Sequence, residues 1–186
     1  MNRQKKTYAD GIASISVFLV LAGCASSGDR IGGPVLVVPD KVRFADEIKV
    51  STNVRLDCAL ENKVAKYVAR EASDVYDQVQ TSPQVTDKTP GTVLTLQITN
   101  VSGDYGTGWT GAGSAGGGKS LTVQGSLFVN GREHGSFIAR RRTGVSGFAP
   151  YRRTCDMLDK DAKVIAADIA KWLRAPAMSS RLGDAK

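Results

Sequence analysis

Three segments in the middle of the chain alternate between apolar and polar residues. The first runs from Thr92 to Val101, and the second runs from Lys119 to Val129. The third follows a turn that begins at Asn130-Gly131 and closes by Gly135, and it continues from Phe137 to about Thr143. A two-residue period places successive side chains on opposite faces of a strand. The pattern therefore predicts three strands of a sheet with one buried face and one solvated face.

The polar positions of these strands are expected to share the solvated face. Because Arg140 and Arg142 are two residues apart, they belong to that face, whereas Arg141 faces the opposite way or lies at the sheet end. The predicted polar face comprises Thr95, Gln97, Thr99, Thr122, Gln124, Ser126, Arg140 and Arg142.

Two further segments have the three- and four-residue spacing of an amphipathic helix. The first follows Asp57, a residue type that caps helices, and extends for about 20 residues. Its apolar face is predicted to comprise Leu60, Val64, Tyr67, Val68, Ala72, Val75 and Val79. The second follows a candidate cap at Thr154 and stops before Pro176. Its apolar face is predicted to comprise Leu158, Ala162, Ile165, Ile169 and Trp172.

A short apolar run, Val35 to Val38, lies between Pro34 and Pro39 and reads as a strand of the kind found at sheet edges. The predicted order is therefore strand, helix, three strands, helix. This order favours an α+β two-layer sandwich, with a mostly antiparallel sheet of about four strands and two helices packed on one face. Residues 34–174 would form this single domain, and residues 175–186 would form a disordered tail.

The first 23 residues have the layout of a signal peptide. Arg3, Lys5 and Lys6 form a positive start, and an apolar run from Ile12 to Ala22 follows it. As a helix this run would be about 16 Å long, roughly half of a bilayer's hydrocarbon core, so it is too short for a permanent span. The leader therefore predicts export from the cytoplasm.

The leader ends in Leu21-Ala22-Gly23-Cys24, which resembles the lipobox of bacterial lipoproteins. The resemblance implies cleavage before Cys24, a diacylglyceryl group on its sulfur and acylation, typically by palmitate, of the new amino terminus. Known lipoproteins kept in the inner membrane often carry Asp next, whereas Ala25 and Ser26 follow here. The resemblance thus implies an outer-membrane lipoprotein that faces the periplasm, with residues 24–33 as its tether. The alternative is an ordinary secretory signal with a chance cysteine.

Two other cysteines, Cys58 and Cys155, each follow a candidate capping residue at the start of a predicted helix. If the two helices lie side by side and parallel, their starts are neighbours. We therefore predict a disulfide between these cysteines in the oxidising periplasm. The alternatives are two unpaired buried thiols, or a redox or metal-binding pair. Metal is disfavoured because the chain has one histidine, and no cofactor is predicted.

Residues Gly113 to Ser120 match the P-loop pattern G-x-x-x-x-G-K-[ST]. That loop holds phosphate because a strand enters it and a helix leaves it. Here glycines precede it and an alternating strand follows Lys119, so nucleotide binding is disfavoured and a glycine-rich connection is the better interpretation. Nucleic acid is disfavoured by the exported compartment, despite a pI near 9.5.

Candidate binding residues lie in two places. The glycine-rich connection Gly103 to Gly118 holds Tyr105 and Trp109, an aromatic pair suited to a sugar ring or a partner groove, unless Trp109 packs on the core. The cluster Arg140-Arg141-Arg142, with Arg152-Arg153 nearby, suits phosphates or an acidic protein, unless it is only a solvated face. Without the leader, 22 basic and 17 acidic residues remain, a net charge of +5 that favours anionic neighbours.

Catalytic patterns are weak. The only histidine, His134, lies in the predicted hairpin turn. The segment around Ser114 approaches a nucleophile elbow, but Ala112 stands where glycine is usual, and strand-to-helix context is lacking. We therefore predict that the protein is not an enzyme.

Several short motifs are similar to those of small uncharacterised proteobacterial envelope lipoproteins. They are Asp57-Cys58, the segment Gly135 to Arg141, Thr154-Cys155 and the segment Asp168 to Leu173. This resemblance brings no catalytic residues. The lipid anchor, the predicted disulfide and the missing catalytic set favour a non-catalytic binding or accessory role in the envelope, with a protein or glycan partner engaged through Tyr105, Trp109, Gln124, Arg140 and Arg142. The alternatives are a periplasmic lipid or lipopolysaccharide carrier and a periplasmic hydrolase.

Overall fold

A computed structural model describes residues 33–102, 119–144 and 154–185. The predicted signal peptide, Cys24 and most of the tether lie outside these ranges. The elements are β1 (Val35–Pro39), α1 (Thr52–Asp57), α2 (Leu60–Ala72), β2 (Gln78–Ser82), β3 (Thr92–Ser102), β4 (Lys119–Val129), β5 (Arg132–Thr143), α3 (Thr154–Leu173) and β6 (Ser180–Gly183). No helix in this part of the chain is long and apolar enough to cross a bilayer.

The described strands form a single six-stranded mixed sheet, in the order β2-β1-β3-β4-β5-β6. Strands β3, β4 and β5 pair antiparallel, whereas β1 pairs parallel with β2 and with β3, and β5 pairs parallel with β6. The α+β class and the two helices on one face are confirmed. The prediction of about four mostly antiparallel strands is met in part: β3, β4 and β5 are antiparallel, but the sheet has six strands. Helices connect β1 to β2 and β5 to β6, and a helical crossover brings its two strands together in parallel.

The first predicted helix is shorter than its apolar spacing suggested. Helix α2 ends at Ala72, and Ser73 caps its carboxyl end. Val75 still packs in the core, but Val79 belongs to β2 and pairs with Leu36. Since β2 covers the outer edge of β1, the latter is an interior strand and not an edge strand.

The predicted cap at Asp57 is also wrong. Asp57 is the last residue of α1, whose first turn is capped by Ser51 through a hydrogen bond from the Val54 amide to the Ser51 hydroxyl at 3.4 Å. Helix α2 instead begins after Ala59, whose φ of 48° produces the sharp turn between the two helices.

Strands β3 and β4 lie where the alternation predicted them. Strand β5 begins at Arg132, five residues earlier than predicted, so His134 lies in this strand and not in the hairpin turn. A two-residue turn joins β4 to β5, with positive φ at Asn130 and Gly131, which matches the right-handed twist of the paired strands. Two irregularities were not foreseen. His134 is an extra residue in the β4–β5 pairing, and the β3–β4 register shifts between Ile98 and Asn100. Because of the second shift, Asn100 and not Thr99 lies opposite Thr122 on the polar face.

One apolar core fills the space between the sheet and helices α2 and α3. Its fully buried members include Leu36, Val64, Leu94, Ile98, Val123, Leu127, Leu158, Ile165 and Ile169. Phe137 on β5 packs edge-on against Trp172 of α3, with ring centroids 4.8 Å apart. Gly125 makes room for that ring, because a Cβ atom there would lie 2.7 Å from the Phe137 Cζ atom.

The segment that was expected to be a tail is part of the sheet. Strand β6 pairs with residues 137–140 of β5, and the indole nitrogen of Trp172 donates a hydrogen bond to the Ser180 hydroxyl at 3.1 Å. The folded domain therefore extends past the predicted boundary at residue 174, because residues beyond it pair with β5 and accept a hydrogen bond from the core residue Trp172.

The predicted disulfide between Cys58 and Cys155 is present, with Cα atoms 4.9 Å apart. Cys58 lies just before α2, and Cys155 is the second residue of α3. Farther along, the Tyr67 hydroxyl of α2 donates to Asp159 of α3 at 2.7 Å. The two helices therefore start together and run in the same direction, as the pairing required.

Candidate functional site on the open sheet face

The side of β3, β4 and β5 that faces away from the helices is called the open face. Its residues form four rows across the strands, given by the pairing register. The rows are Thr95–Ser126–Ser136, Gln97–Gln124–Ile138, Asn100–Thr122–Arg140 and Ser102–Ser120–Arg142. These side chains are hydroxyls, amides and guanidinium groups, with Ile138 as the one apolar member. Thr122 and Ser120, at the centre of the last two rows, are buried at 8% and 1% exposure, so the prediction that Thr122 is solvated is wrong.

A groove of about 650 Å³ crosses the first two rows of the open face. Its lining residues are Thr95, Leu96, Gln97, Gln124, Gly125, Ser126, Ser136, Phe137, Ile138, Ser179 and Arg181. Gln97 and Gln124 are exposed cross-strand partners, so their amides lie side by side on the groove floor. Ile138 is 38% exposed. The groove therefore offers many hydrogen-bonding groups beside a smaller apolar part, to which Leu96, Phe137 and Ile138 contribute.

Strand β6 supplies one side of this groove. Arg181 pairs with Ile138 and so falls in the same row as the two glutamines. One guanidinium nitrogen of Arg181 donates to the Ala185 carbonyl at 3.2 Å, which leaves its other donors for a ligand. The Ser179 amide donates to the Ser136 hydroxyl at 3.1 Å, which ties the start of β6 to the rim of the groove.

The three consecutive arginines of β5 are held in two different ways. Arg141 points to the helix side, where its Nε and Nη2 donate to Asp168 of α3 at 2.8 and 2.7 Å. Its Nη1 approaches Asp184 at 3.5 Å. Arg140 and Arg142 are exposed on the open face, and among the described residues neither guanidinium has an ion-pair partner.

Asp184 fixes the end of β6 against these arginines. Its backbone amide donates to the Arg140 carbonyl at 2.8 Å, and its carboxylate accepts from the Arg142 amide at 3.0 Å. That carboxylate also approaches the Arg141 Nη1 atom at 3.5 Å, and no contact between it and the Arg140 or Arg142 guanidinium group is present in the described residues. Its contacts therefore leave the guanidinium groups of Arg140 and Arg142 available.

A separate polar cluster joins the two helices on the far side of the molecule. Asp159 accepts from Tyr67 at 2.7 Å and forms ion pairs with Lys63 at 3.3 Å and Lys163 at 2.7 Å. Burial opposes the ionisation of Asp159, but the hydrogen bonds from Lys163, Tyr67 and Lys63 outweigh it and lower its pKa to about 2. Burial, followed by the hydrogen bond to Asp159, raises the pKa of Tyr67. Tyr67, Lys63 and Lys163 all contact Asp159, so the cluster joins α2 to α3 and points to a role in helix packing.

Asp161 is the most deeply buried carboxyl of α3. Its Oδ1 accepts a 2.5 Å hydrogen bond from the Thr143 hydroxyl, while its Oδ2 has no partner among the described residues. Burial raises its pKa, despite the opposing effect of the Thr143 hydrogen bonds. The side chain ties α3 to the end of β5.

The open face unites three of the predicted binding residues, Gln124, Arg140 and Arg142. Tyr105 and Trp109 lie outside the described residues, as do Ser114 and Cys24. The sequence analysis missed Ser136, Ser179 and Arg181, which line the groove. Ser136 precedes the apolar Phe137 in β5, so the two-residue alternation could have assigned it to the open face. Ser179 and Arg181 lie in a segment whose sequence has no strand pattern.

The other sequence motifs do not gather at the groove. Lys119 and Ser120, the last two residues of the P-loop-like match, are the first residues of β4, so no helix leaves the motif. His134 is exposed at the irregularity in β5. In the described ranges, no group of three or more histidine, cysteine, aspartate or glutamate side chains is arranged to hold a metal ion.

Comparisons with known proteins give structural likeness only. No protein-family model and no curated protein sequence matches the chain. A PelC dodecamer from Paraburkholderia phytofirmans is 12% identical, with 73% of this chain and 85% of that chain covered and a TM-score of 0.39. A second PelC dodecamer structure from this organism is 11% identical, with 76% and 91% covered and a TM-score of 0.40.

A Xanthomonas campestris protein described by the family-model DUF330 is 10% identical, with 80% of this chain and 88% of that chain covered and a TM-score of 0.49. At these identities and TM-scores, the resemblance is confined to the broad arrangement of helices and strands.

Proposed function

We propose that the chain is a lipoprotein anchored through Cys24 in the outer membrane, and that its domain binds an envelope partner through the open face without catalysing a reaction. The observation that carries the binding role is the groove across β3 to β6, whose floor of amides and hydroxyls lies beside two exposed arginines that have no ion-pair partner among the residues the structure describes. A concave site with convergent polar groups is the default candidate for ligand binding, and here exposed arginines lie next to it on the same face.

The anchor and compartment draw support from the sequence. The basic start, the short apolar run and the Leu21-Ala22-Gly23-Cys24 box agree with one another. The Cys58–Cys155 disulfide is consistent with an oxidising compartment such as the periplasm. Several acyl chains, at about 0.8 kcal/mol per buried methylene, would make the attachment effectively permanent.

The carrier alternative is less well supported than a binding role. A carrier needs an apolar cavity for acyl chains, and the groove on the open face is lined mainly by polar side chains. Its one well-exposed apolar side chain is that of Ile138.

Metabolic labelling tests the anchor. Cells are fed labelled palmitate, and the wild-type chain is compared with Cys24→Ala and, as a matched control, with Ala25→Ser. We expect label on the wild-type and Ala25→Ser chains, recovered with outer membranes, and none on Cys24→Ala. An unlabelled wild-type chain in the cytosol would refute the anchor.

Photocrosslinking in cells tests the binding face. A photoreactive residue is placed at Gln124 or Arg142 on the open face, or at Lys66 on the exposed side of α2 as a control. We expect defined adducts from the first two positions and none from the third. Equal adducts from all three positions, or none from any, would remove the open face as the binding site.

A further inference from the structure

We propose that the ligand of the groove on the open face is an acidic glycan, a sugar chain that carries carboxylate groups. This inference rests on the proposed function and names the partner class of that same site. It draws on two features together, a stripe of positive charge along β5 and β6 and a floor of paired amides and hydroxyls.

The positive stripe consists of Arg181, Arg140 and Arg142. Arg181 lies beside Ile138, and positions 138, 140 and 142 follow one another on the same face of β5, so the steps are about 7 Å along the strand. Across the four rows of the open face, no described side chain carries a negative charge. The Asp184 carboxylate contacts Arg141 and the Arg142 backbone amide rather than the guanidinium group of Arg140 or Arg142. Within the described ranges, the stripe therefore has charge that no acidic side chain of the open face neutralises.

Guanidinium groups select the kind of anion. Their planar donors match the two oxygens of a carboxylate, and such charge-assisted bonds are about twice as strong as neutral ones. Arg141 forms such a charge-assisted contact on the helix side of the sheet, where its Nε and Nη2 both approach one oxygen, Oδ2, of the Asp168 carboxylate. Arg140 and Arg142 are placed to bind a ligand carboxylate on the open face, as Arg141 binds the Asp168 carboxylate on the helix side.

The groove floor favours a sugar chain over an acidic protein segment. Stable protein interfaces are anchored by aromatic and apolar side chains, and serine is depleted in them. This floor instead presents Gln97 and Gln124 side by side, flanked by the hydroxyls of Thr95, Ser126 and Ser136. Amides and hydroxyls both donate and accept, as the hydroxyl groups of a sugar require.

A lipid surface fits these features less well. Anionic headgroups attract basic residues through charge alone. Binding to a bilayer would therefore not depend on the amide pair of Gln97 and Gln124, which lies in a recess of the sheet. Among the three apolar residues that line the groove, Leu96, Phe137 and Ile138, only Ile138 is well exposed, so the groove does not offer the apolar cavity that acyl chains need. Binding that requires the amide pair would thus distinguish a glycan from a membrane, because a membrane would contact the arginines alone.

The test uses the full-length chain in detergent micelles and calorimetric titration with a short oligogalacturonate. We expect binding that weakens as salt is added, and at least about tenfold weaker binding of a neutral cello-oligosaccharide of equal length, because only the acidic chain engages the arginines. The variant Arg140→Gln/Arg142→Gln should lose about tenfold or more in affinity. The variant Gln97→Ala/Gln124→Ala should lose affinity for both oligosaccharides.

The matched control is Arg174→Gln, which removes an exposed charge just after α3 and should bind like the wild type. Circular dichroism of each variant shows whether it is folded. Equal binding by Arg140→Gln/Arg142→Gln and the wild type, or no binding of oligogalacturonate at all, would overturn the proposal. Tighter binding of an oligoglutamate peptide or of phosphatidylglycerol vesicles would overturn it as well.

The crosslinking experiment separates failure of this inference from failure of the proposed function. Protein adducts at Gln124 and Arg142, with no binding of oligogalacturonate, would leave a binding role for the open face and reject the glycan. Absence of adducts and of binding would reject both.

Discussion

The two faces of the same sheet are built from alternate residues of the same strands and differ in almost every property. Leu127, Val123 and Ala139 lie on the helix face and are fully buried. Their neighbours Ser126, Gln124 and Ile138 lie on the open face and reach solvent to varying degrees. Successive residues of one strand therefore alternate between the face that stabilises the fold and the face proposed to bind a ligand.

The arginines of β5 show this division at its clearest. Arg141 is tied to Asp168 and Asp184 and joins three elements, α3, β5 and the end of β6. Arg140 and Arg142, one residue away on either side, have no ion pair in the described part of the chain. The division can be tested with paired substitutions, one on each face.

The largest effect is expected at the disulfide that joins the helix layer. Cys58→Ala/Cys155→Ala should lose about 4 kcal/mol of unfolding free energy, because the bridge closes a long loop in the unfolded chain. Urea unfolding of the full-length chain in micelles measures the loss. The matched double variant on the open face, Gln97→Ala/Gln124→Ala, should change stability by less than about 1 kcal/mol. Equal losses would abolish the distinction between the faces.

A smaller loss is expected from the core itself. Leu127→Ala should cost about 3 kcal/mol, since Leu127 is fully buried and its removal leaves a cavity. Ile138→Ala should cost about 0.5 kcal/mol, because that side chain is 38% exposed on the open face. Thermal unfolding of the two variants compares them directly. A larger cost for Ile138→Ala would mean that the open face is covered in the native protein.

Arg141→Gln should cost about 2 kcal/mol, because it leaves the partly buried Asp168 carboxylate without its cation. Hydrogen exchange at Leu182 should also speed up, since Arg141 holds Asp184 at the end of β6. Arg140→Gln should change stability by less than about 0.5 kcal/mol and leave that exchange rate unchanged. If both variants behaved alike, the arginines would not be divided between the faces.

The smallest effect concerns acid. The pKa of Asp159 is lowered to about 2 in the folded protein, so its contribution is present above its ordinary pKa and is lost as the pH falls from about 4 to 2. With allowance for solvent screening, this amounts to about 1 to 2 kcal/mol. Asp159→Asn should remove that part of the acid dependence of unfolding. Arg181→Gln, on the open face, should leave the acid profile as it is.

Local pattern was sufficient for the centre of the fold. The alternation of Leu94, Leu96 and Ile98 is set by the strand that contains them, and β3 and β4 lie where it predicted, while β5 begins earlier, at Arg132. The Asn130-Gly131 turn is likewise a local signal, since both residues accept positive φ. The same parity placed Gln124, Arg140 and Arg142 together on the open face.

The edges of the sheet depend on distant partners and were not predicted. Val79 continues the helical spacing of α2, yet it forms a strand because β1 lies beside it. Ser180 to Gly183 are a weak strand sequence, and they pair with β5 only because Trp172 and Arg141 hold them there. Arg181 was missed as a site residue for this reason, since its place beside Ile138 follows from that pairing.

The Cys58–Cys155 bridge also bears on how the protein withstands damage. The two cysteines are 97 residues apart, so most of the sheet lies between them in sequence. A protease that cuts once within this interval leaves two pieces that stay covalently joined. Such a nicked chain would separate into fragments on a gel only after a thiol reductant is added, and in the envelope both pieces would stay on whatever anchors the first.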